Sequence, residues 1–410
     1  MLPPMIPIRQ QLDGARLDDV PAAICEALAA LGLAGRIPAG MTVGIPVGSR
    51  GIRNITVLVR ETVRHVRALG ASPVVVAAMG SHGGGTIAGQ MAVLRSLGIT
   101  EASVDAPVLG NVDAVAVASA SDGQPVYFCS RLLGCGALLI INRVKPHTSF
   151  HGPLESGLVK MLVVGCGKPL GARQFHSYGP SELSARLREC GALLLGRLPV
   201  VGGIAVLENG REETAALVPV HPTAFIPTEE RLLQQARTLL PRLPVAELDV
   251  LVVDQMGKDF SGTGMDTNVI GRIGIRGVPD EAPAIRRIVV LDLSEGSHGN
   301  ANGMGLADLT TRRLVDKVDF AATYLNTLTA TFVERAKLPI ALETDQAAIE
   351  AALRTIGKPA APRIVRIRNT LDLEHLLVSP AVLTELQGLP GIVVMGGPEP
   401  WPFDVAGQLF

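Results

Sequence analysis

Three polar residues, Arg50, His82 and His147, each follow an apolar, β-rich run by a few positions; the runs end at Val47, Met79 and Arg143. An imidazole with an ordinary pKa of ~6.5 can take or give a proton near neutrality, and a guanidinium pairs with a carboxylate. A loop histidine taken singly is more often solvated or a cap. Three such groups at the carboxyl ends of parallel strands would share one rim of one sheet, where open α/β sheets bind their ligands. Lys160 sits among Leu158, Val159, Met161 and Leu162. Desolvation there favours the neutral amine that a covalent adduct requires, although a lysine snorkelling from a surface helix gives the same pattern. His176 follows sixteen residues later and offers an imidazole of the kind that binds nickel, copper or zinc. Gln255 and Lys258 follow a further strand end and suit the hydroxyl and carboxylate of a small acid. The loop Gly80–Gly85 lacks both the Walker spacing and the dinucleotide G-x-G-x-x-G spacing.

The elements that must position these residues alternate. Strands are expected over Met41–Val47, Pro73–Met79 and Ala137–Arg143, with helices over Asn54–Leu69, Thr86–Leu97 and Leu154–Val164. A hairpin is expected around Ser121–Gln124, whose Asp-Gly pair favours a tight turn. The Leu240–Pro244 punctuation marks a domain boundary, after which come strands Asp249–Val253, Ile288–Leu293, Arg363–Ile367 and Gly391–Met395. Helical patterns run through Ala330 and cover Ala347–Ile356 and Leu373–Leu377. The fold class is therefore α/β: two α/β domains with largely parallel sheets and an interdomain active-site cleft. An amino-terminal cofactor-binding domain spans 1–243 and a carboxyl-terminal domain 244–410, with the tail near Trp401 expected to fold back on the first.

Composition narrows the function classes. Of the 410 residues, 47% are hydrophobic and 18% charged, enough apolar content for large cores and too little charge for disorder. Lys and Arg number 37 against 38 Asp and Glu, so no overall field favours nucleic acid or an anionic membrane. Aromatics at 3% cannot supply base-stacking platforms. Five cysteines without a C-x-x-C pair are expected to be reduced, buried thiols in a cytoplasmic protein. The longest apolar run, Gly191–Leu207, is broken by Arg197 and Pro199, so no membrane anchor is expected. A small-molecule partner remains.

In order and spacing these elements resemble the nickel-dependent lactate racemase family. Ser49-Arg50 is similar to its Thr-Arg, Gly80-Ser-His82 to its Gly-x-His, and Pro146-His147 to its Pro-His. The stretch Ser156-Gly157-Leu-Val-Lys160 resembles the segment of its modified lysine, His176 its nickel ligand, and Gln255 with Lys258 its Gln-x-x-Lys. The resemblance implies a racemase or epimerase, an isomerase working on a 2-hydroxy acid by proton-coupled hydride transfer. It implies a pincer nickel nucleotide, a pyridinium mononucleotide with two sulfur-bearing arms around nickel, attached at Lys160, with His176 completing the metal site. Ser49, Arg50, Ser156 and Gly157 would contact that cofactor; Arg50, Gln255 and Lys258 would hold substrate; His82 and His147 would be acid and base. Val47 and Asp254 stand where lactate-specific members carry an Asp and an aromatic, which predicts a smaller, more polar pocket wall and a substrate other than lactate. His151 is a further candidate that the motif does not require. Two other classes fit the residues: a metal hydrolase using His82, His147, His151 and His176, and a cofactor-free relative that binds a small acid.

Overall fold

The computed structural model describes residues 2–49, 51–357 and 359–410. Arg50 lies outside the described residues. In chain order the strands are β1 (Ile6–Gln10), β2 (Thr42–Val47), β3 (Ser72–Ala77), β4 (Val108–Leu109), β5 (Ala114–Ser119), β6 (Pro125–Cys129), β7 (Ala137–Arg143), β8 (Val200–Glu208), β9 (Thr214–Val220), β10 (Glu247–Met256), β11 (Ala284–Leu293), β12 (Leu309–Thr311), β13 (Ile340–Leu342), β14 (Ile364–Ile367), β15 (His375–Val378) and β16 (Ile392–Val394). The chain divides into two compact units: Gly14–Leu240, and Pro241–Phe410 with the residues before Gly14.

The unit Gly14–Leu240 is built on a six-stranded sheet of order β4-β3-β2-β7-β8-β9. Every neighbouring pair is parallel except β8 with β9. Strands buried on both faces read as continuous apolar runs, which is why Ala137–Arg143 was legible as a strand. Successive residues of β7 enter opposite cores: Leu139 and Ile141 join Val43, Ile45 and Val47 of β2 on one face, while Leu138 and Ile140 join the other. Helices Val20–Ala30 and Ile55–Ala68 cover the first face; Leu183–Leu195 and Phe225–Leu239 cover the second. The apolar run from Gly191 ends the helix Leu183–Leu195 and then enters β8. Strands β5 and β6 form a separate antiparallel hairpin about the expected Asp122-Gly123 turn.

The other unit carries an eight-stranded sheet, β13-β12-β11-β10-β14-β15-β1-β16, parallel from β13 to β14 and antiparallel beyond. Its seventh strand in that order is β1, so the chain's first residues belong to this unit and not to the amino-terminal domain expected over 1–243. The tail stays here too: the Trp401 indole N–H donates to the Pro3 carbonyl at 2.9 Å, and Met5 pairs with Glu399. The helix expected at Leu373–Leu377 is largely strand β15, since so short a segment carries no usable period. Four cysteines are buried as expected, but Cys25 is exposed. No helix among the described residues is long and apolar enough to cross a membrane.

One buried cation fixes how loops meet at the sheet rim of Gly14–Leu240. Lys168 is completely buried, and its ammonium donates to the Ala77 carbonyl at the end of β3 (2.6 Å) and to Gln90 Oε1 (2.9 Å). Gln90, in helix Ile87–Ser96, donates in turn to the Met79 carbonyl at 3.0 Å. Lys168 also has a left-handed backbone, φ +61°, which disfavours any side-chain-bearing residue. Burial lowers its pKa from 10.5. The unfolded chain therefore holds a proton that the folded chain releases earlier, and stability rises with pH through that interval, up to the unfolded value. Lys168→Ala, which leaves two buried acceptors unmatched, should cost on the order of 3 kcal/mol in urea unfolding. The gap between wild type and variant should widen as pH rises toward the ordinary lysine value of 10.5; a constant gap would contradict this account.

Candidate functional site

The segment bearing Lys160 is an interrupted helix. Leu158–Lys160 makes one turn, Met161–Gly165 is π-helical with the Cys166 N–H bonded to the Met161 carbonyl at 2.8 Å, and helix Lys168–His176 follows. Such π-turns recur at functional sites because they re-aim neighbouring side chains. The first turn is seated by two completely buried side chains, Leu158 and Val159, each contributing ~1.5–3 kcal/mol of burial. Its amino terminus is capped from a distance: Glu229 Oε2, on helix Phe225–Leu239, accepts the Val159 N–H at 3.0 Å. A Cβ on Gly157 would lie 2.3 Å from the Glu229 carboxyl carbon, so the cap approaches this closely only over glycine. Burial pushes the Glu229 carboxyl up to about 7. The Gly157 carbonyl accepts from Asn142 near the end of β7 at 2.7 Å, and the Ser156 carbonyl from the Lys145 N–H at 3.1 Å, tying the turn to the sheet.

Two buried phenylalanines gather three of the predicted residues. The Phe150 ring lies 4.3 Å from the His147 ring and 5.8 Å from Lys160 Nζ. Phe175 is 6.4 Å from Phe150 and 5.4 Å from the His176 ring. Lys160 is half-buried, flanked by the buried neighbours read from the sequence. His176 Nδ1 is buried with no hydrogen-bond partner. Burial first, and the Lys160 charge second, push the His176 pKa down to about 4, so its ring is neutral at physiological pH.

The loop after β7 is organised by Glu155, whose carboxylate is buried. Oε2 accepts the His147 backbone N–H at 2.6 Å; Oε1 accepts the Gly152 N–H at 3.0 Å and the Arg237 guanidinium at 2.5 Å. His151 Nδ1 stands 3.3 and 3.4 Å from the two oxygens. The Ser149 N–H points at His147 Nδ1 at 3.1 Å, so the neutral His147 ring carries its proton on Nε2. His82 opens a tight turn after β3 in which Gly83, Gly84 and Gly85 are all left-handed, a run only glycine makes cheaply. Since β3, β2 and β7 are adjacent and parallel, the His82 loop, Ser49 and the His147 loop share one rim.

Gln255 and Lys258 belong to the other unit, at the end of β10. The Gln255 amide donates to Asp292 at 3.4 Å and the Lys258 ammonium to the Gly262 carbonyl at 2.6 Å. The two departures that predicted a more polar wall have structural partners. Asp254 makes a bidentate pair with Arg366 at 2.7 and 3.0 Å on the neighbouring strand, and Val47 is a core residue. Among the described residues, no three or more His, Cys, Asp or Glu side chains gather as a metal cage. Sequence reasoning missed Phe150, Phe175, Glu155, Arg237 and Glu229. Glu155, beside Ser156-Gly157, was within reach; Arg237 and Glu229 come from a helix far along the chain that no spacing rule connects to Lys160.

No protein-family model matches the chain, and no curated protein matches it. Among solved structures, the lactate racemase apoprotein from Thermoanaerobacterium thermosaccharolyticum is similar, with 10% identity and a TM-score of 0.55, covering 90% of this chain and 99% of that one. At that identity the likeness is one of fold: the chain has a lactate-racemase-like α/β fold.

Proposed function

We propose that this protein is a racemase or epimerase of a small 2-hydroxy acid, working with a pincer nickel nucleotide held at Lys160 and His176. The observation that carries the reading is the pairing of a half-buried lysine with a neutral histidine whose Nδ1 is buried without a partner. That donor set fits the group. A metal caged by protein alone would need three or four side chains, whereas a cofactor bringing its own ligands needs one imidazole and one amine. Lys160 would form the amide-like link and His176 would add one nitrogen to nickel. When bound, the cofactor supplies the hydride acceptor that no side chain provides.

The chain's own residues handle protons and position. His82 and His147, from two loops of one rim, are assigned to the hydroxyl proton, because opposite enantiomers present their hydroxyls on opposite sides of a carbon whose carboxylate is held fixed. Phe150 and Phe175 keep water from the Lys160 side, which strengthens every charge interaction there. Ser49, Ser156 and Gly157 are assigned to the cofactor, with Arg50 from the sequence alone; Gln255 and Lys258 keep a role in substrate binding.

Protein from a host that makes the nickel cofactor should carry an added mass of several hundred daltons and near-stoichiometric nickel. Lys160→Ala should lose both, and His176→Ala should lose nickel; unmodified, nickel-free protein would overturn the assignment. Arginine at 160 should also fail, since a guanidinium stays protonated. By contrast, His82→Ala should keep mass and nickel while slowing loss of optical rotation from the responsive 2-hydroxy acid by ~10²–10⁴-fold, as for removal of a general base. A His82→Ala protein that racemises at the wild-type rate would remove His82 from the reaction.

A further inference from the structure

A helix on the surface of a folded unit ordinarily turns its polar side to water and its apolar side to the core. Helix Phe320–Ala330, in the unit that contains Pro241–Phe410, does the reverse. Its two buried side chains are threonines, Thr323 at 0% exposure and Thr327 at 3%. Both hydroxyls are hydrogen-bonded into the loop after β11. The Ala301 N–H donates to Thr323 Oγ1 at 3.0 Å, the Thr327 hydroxyl donates to Asn302 Oδ1 at 2.9 Å, and the Asn300 amide donates to Asn326 at 3.3 Å. On the other side Leu325 is 64% and Leu328 66% exposed, and Phe320, Tyr324 and Val333, the last just past the helix end, are exposed as well. At 3.6 residues per turn the four helical members fall within one arc of ~140°. Leucines in water forgo the gain of burial, which is recovered only if another surface covers them.

We propose that two copies of this chain associate through helix Phe320–Ala330, packed about a two-fold axis with Leu325 and Leu328 at the centre. A two-fold interface sets a patch against itself, so any net charge would meet its like. Residues 320–333 contain no Asp, Glu, Lys or Arg, and the face is therefore compatible with its own copy. A partner recognised by charge would find nothing there to pair with. An anionic lipid surface calls for basic residues beside the apolar stripe, yet in the adjoining sequence Asp316, Asp319 and Glu334 stand against Lys317 and Lys337, with Arg335 buried. Those mixed charges suit the polar rim of a protein interface. The size fits too: the five apolar side chains expose on the order of 500 Å² per copy, so a pair would remove roughly 1,000 Å² from water, where specific interfaces begin. This association does not depend on the proposed reaction.

Sedimentation velocity of the full-length protein at micromolar concentration tests this and should show a species of twice the chain mass. Leu325→Glu and Leu328→Glu should each weaken the association ~10²-fold or more, because like charges would face each other across the axis. Both positions are exposed in the single chain, so the circular dichroism of the variants should match that of wild type. Val405→Glu, at an equally exposed apolar residue of the tail, should leave the pair intact. Wild type that sediments as a single chain overturns the proposal, including one that instead binds lipid vesicles. A dimer that both glutamate variants leave intact overturns it as well, since its interface would lie elsewhere.

Discussion

The rim of the Gly14–Leu240 sheet depends on an ammonium ion buried without a carboxylate. Lys168 is out of water, and moving a charge there costs several kcal/mol even after relaxation. Its left-handed backbone adds ~1–3 kcal/mol. What offsets this is connection. One head group joins the end of β3, through the Ala77 carbonyl, to Gln90, which also holds the Met79 carbonyl at the root of the His82 turn. Lys168 itself starts the helix that ends at His176, so the same residue fixes two of the predicted side chains by their supports. An apolar residue of equal volume would fill the space and satisfy neither acceptor.

Much of the fold was legible because parallel strands buried on both faces have no polar alternation to confuse the reading. Ala137–Arg143 is a strand over the expected residues, and the helix expected over Asn54–Leu69 spans Ile55–Ala68. The losses have physical causes. β1 is five residues long and finds its neighbours, β15 and β16, more than three hundred positions away, so its partners cannot be inferred locally. β15 is four residues long, an exposed His375 followed by three apolar residues, and looks as helical as it does extended. β8 holds two consecutive glycines, Gly202 and Gly203, which lower strand propensity; they are needed because a Cβ at Gly203 would meet Phe225 and Leu158 at 2.8 and 3.1 Å.

The candidate site was legible in its reactive groups and illegible in what holds them. His147, Lys160 and His176 were named from type and spacing, and all three meet the Phe150–Phe175 pair. Their supports come from elsewhere: Glu229 reaches back 70 positions to cap the Lys160 turn, and Arg237 82 positions to Glu155. A single sequence ranks residues by chemistry, whereas such contacts are decided by how helix Phe225–Leu239 packs on the sheet. Asp254 also has a partner that spacing does not reveal. Read as a pocket-wall residue, it is paired with Arg366 by strand register, Val252 lying opposite Arg366.

Glu155 and Glu229 show why two buried carboxyls near one site take different parts. Glu229 receives the Val159 N–H without a cation to balance it, and its burial is offset only in part, so its carboxyl titrates near 7. Glu155 faces an arginine, two backbone N–H groups and an imidazole, a set that can hold a carboxylate and aim a ring at the same time. The first arrangement suits a cap, which needs one acceptor and tolerates either protonation state at its other oxygen. The second suits a residue beside a group that gains and loses charge, since a carboxylate held on four sides need not move when the imidazole becomes cationic. Between them they hold the two ends of the short stretch from His151 to Lys160, and with it the spacing between the His147 loop and the Lys160 turn.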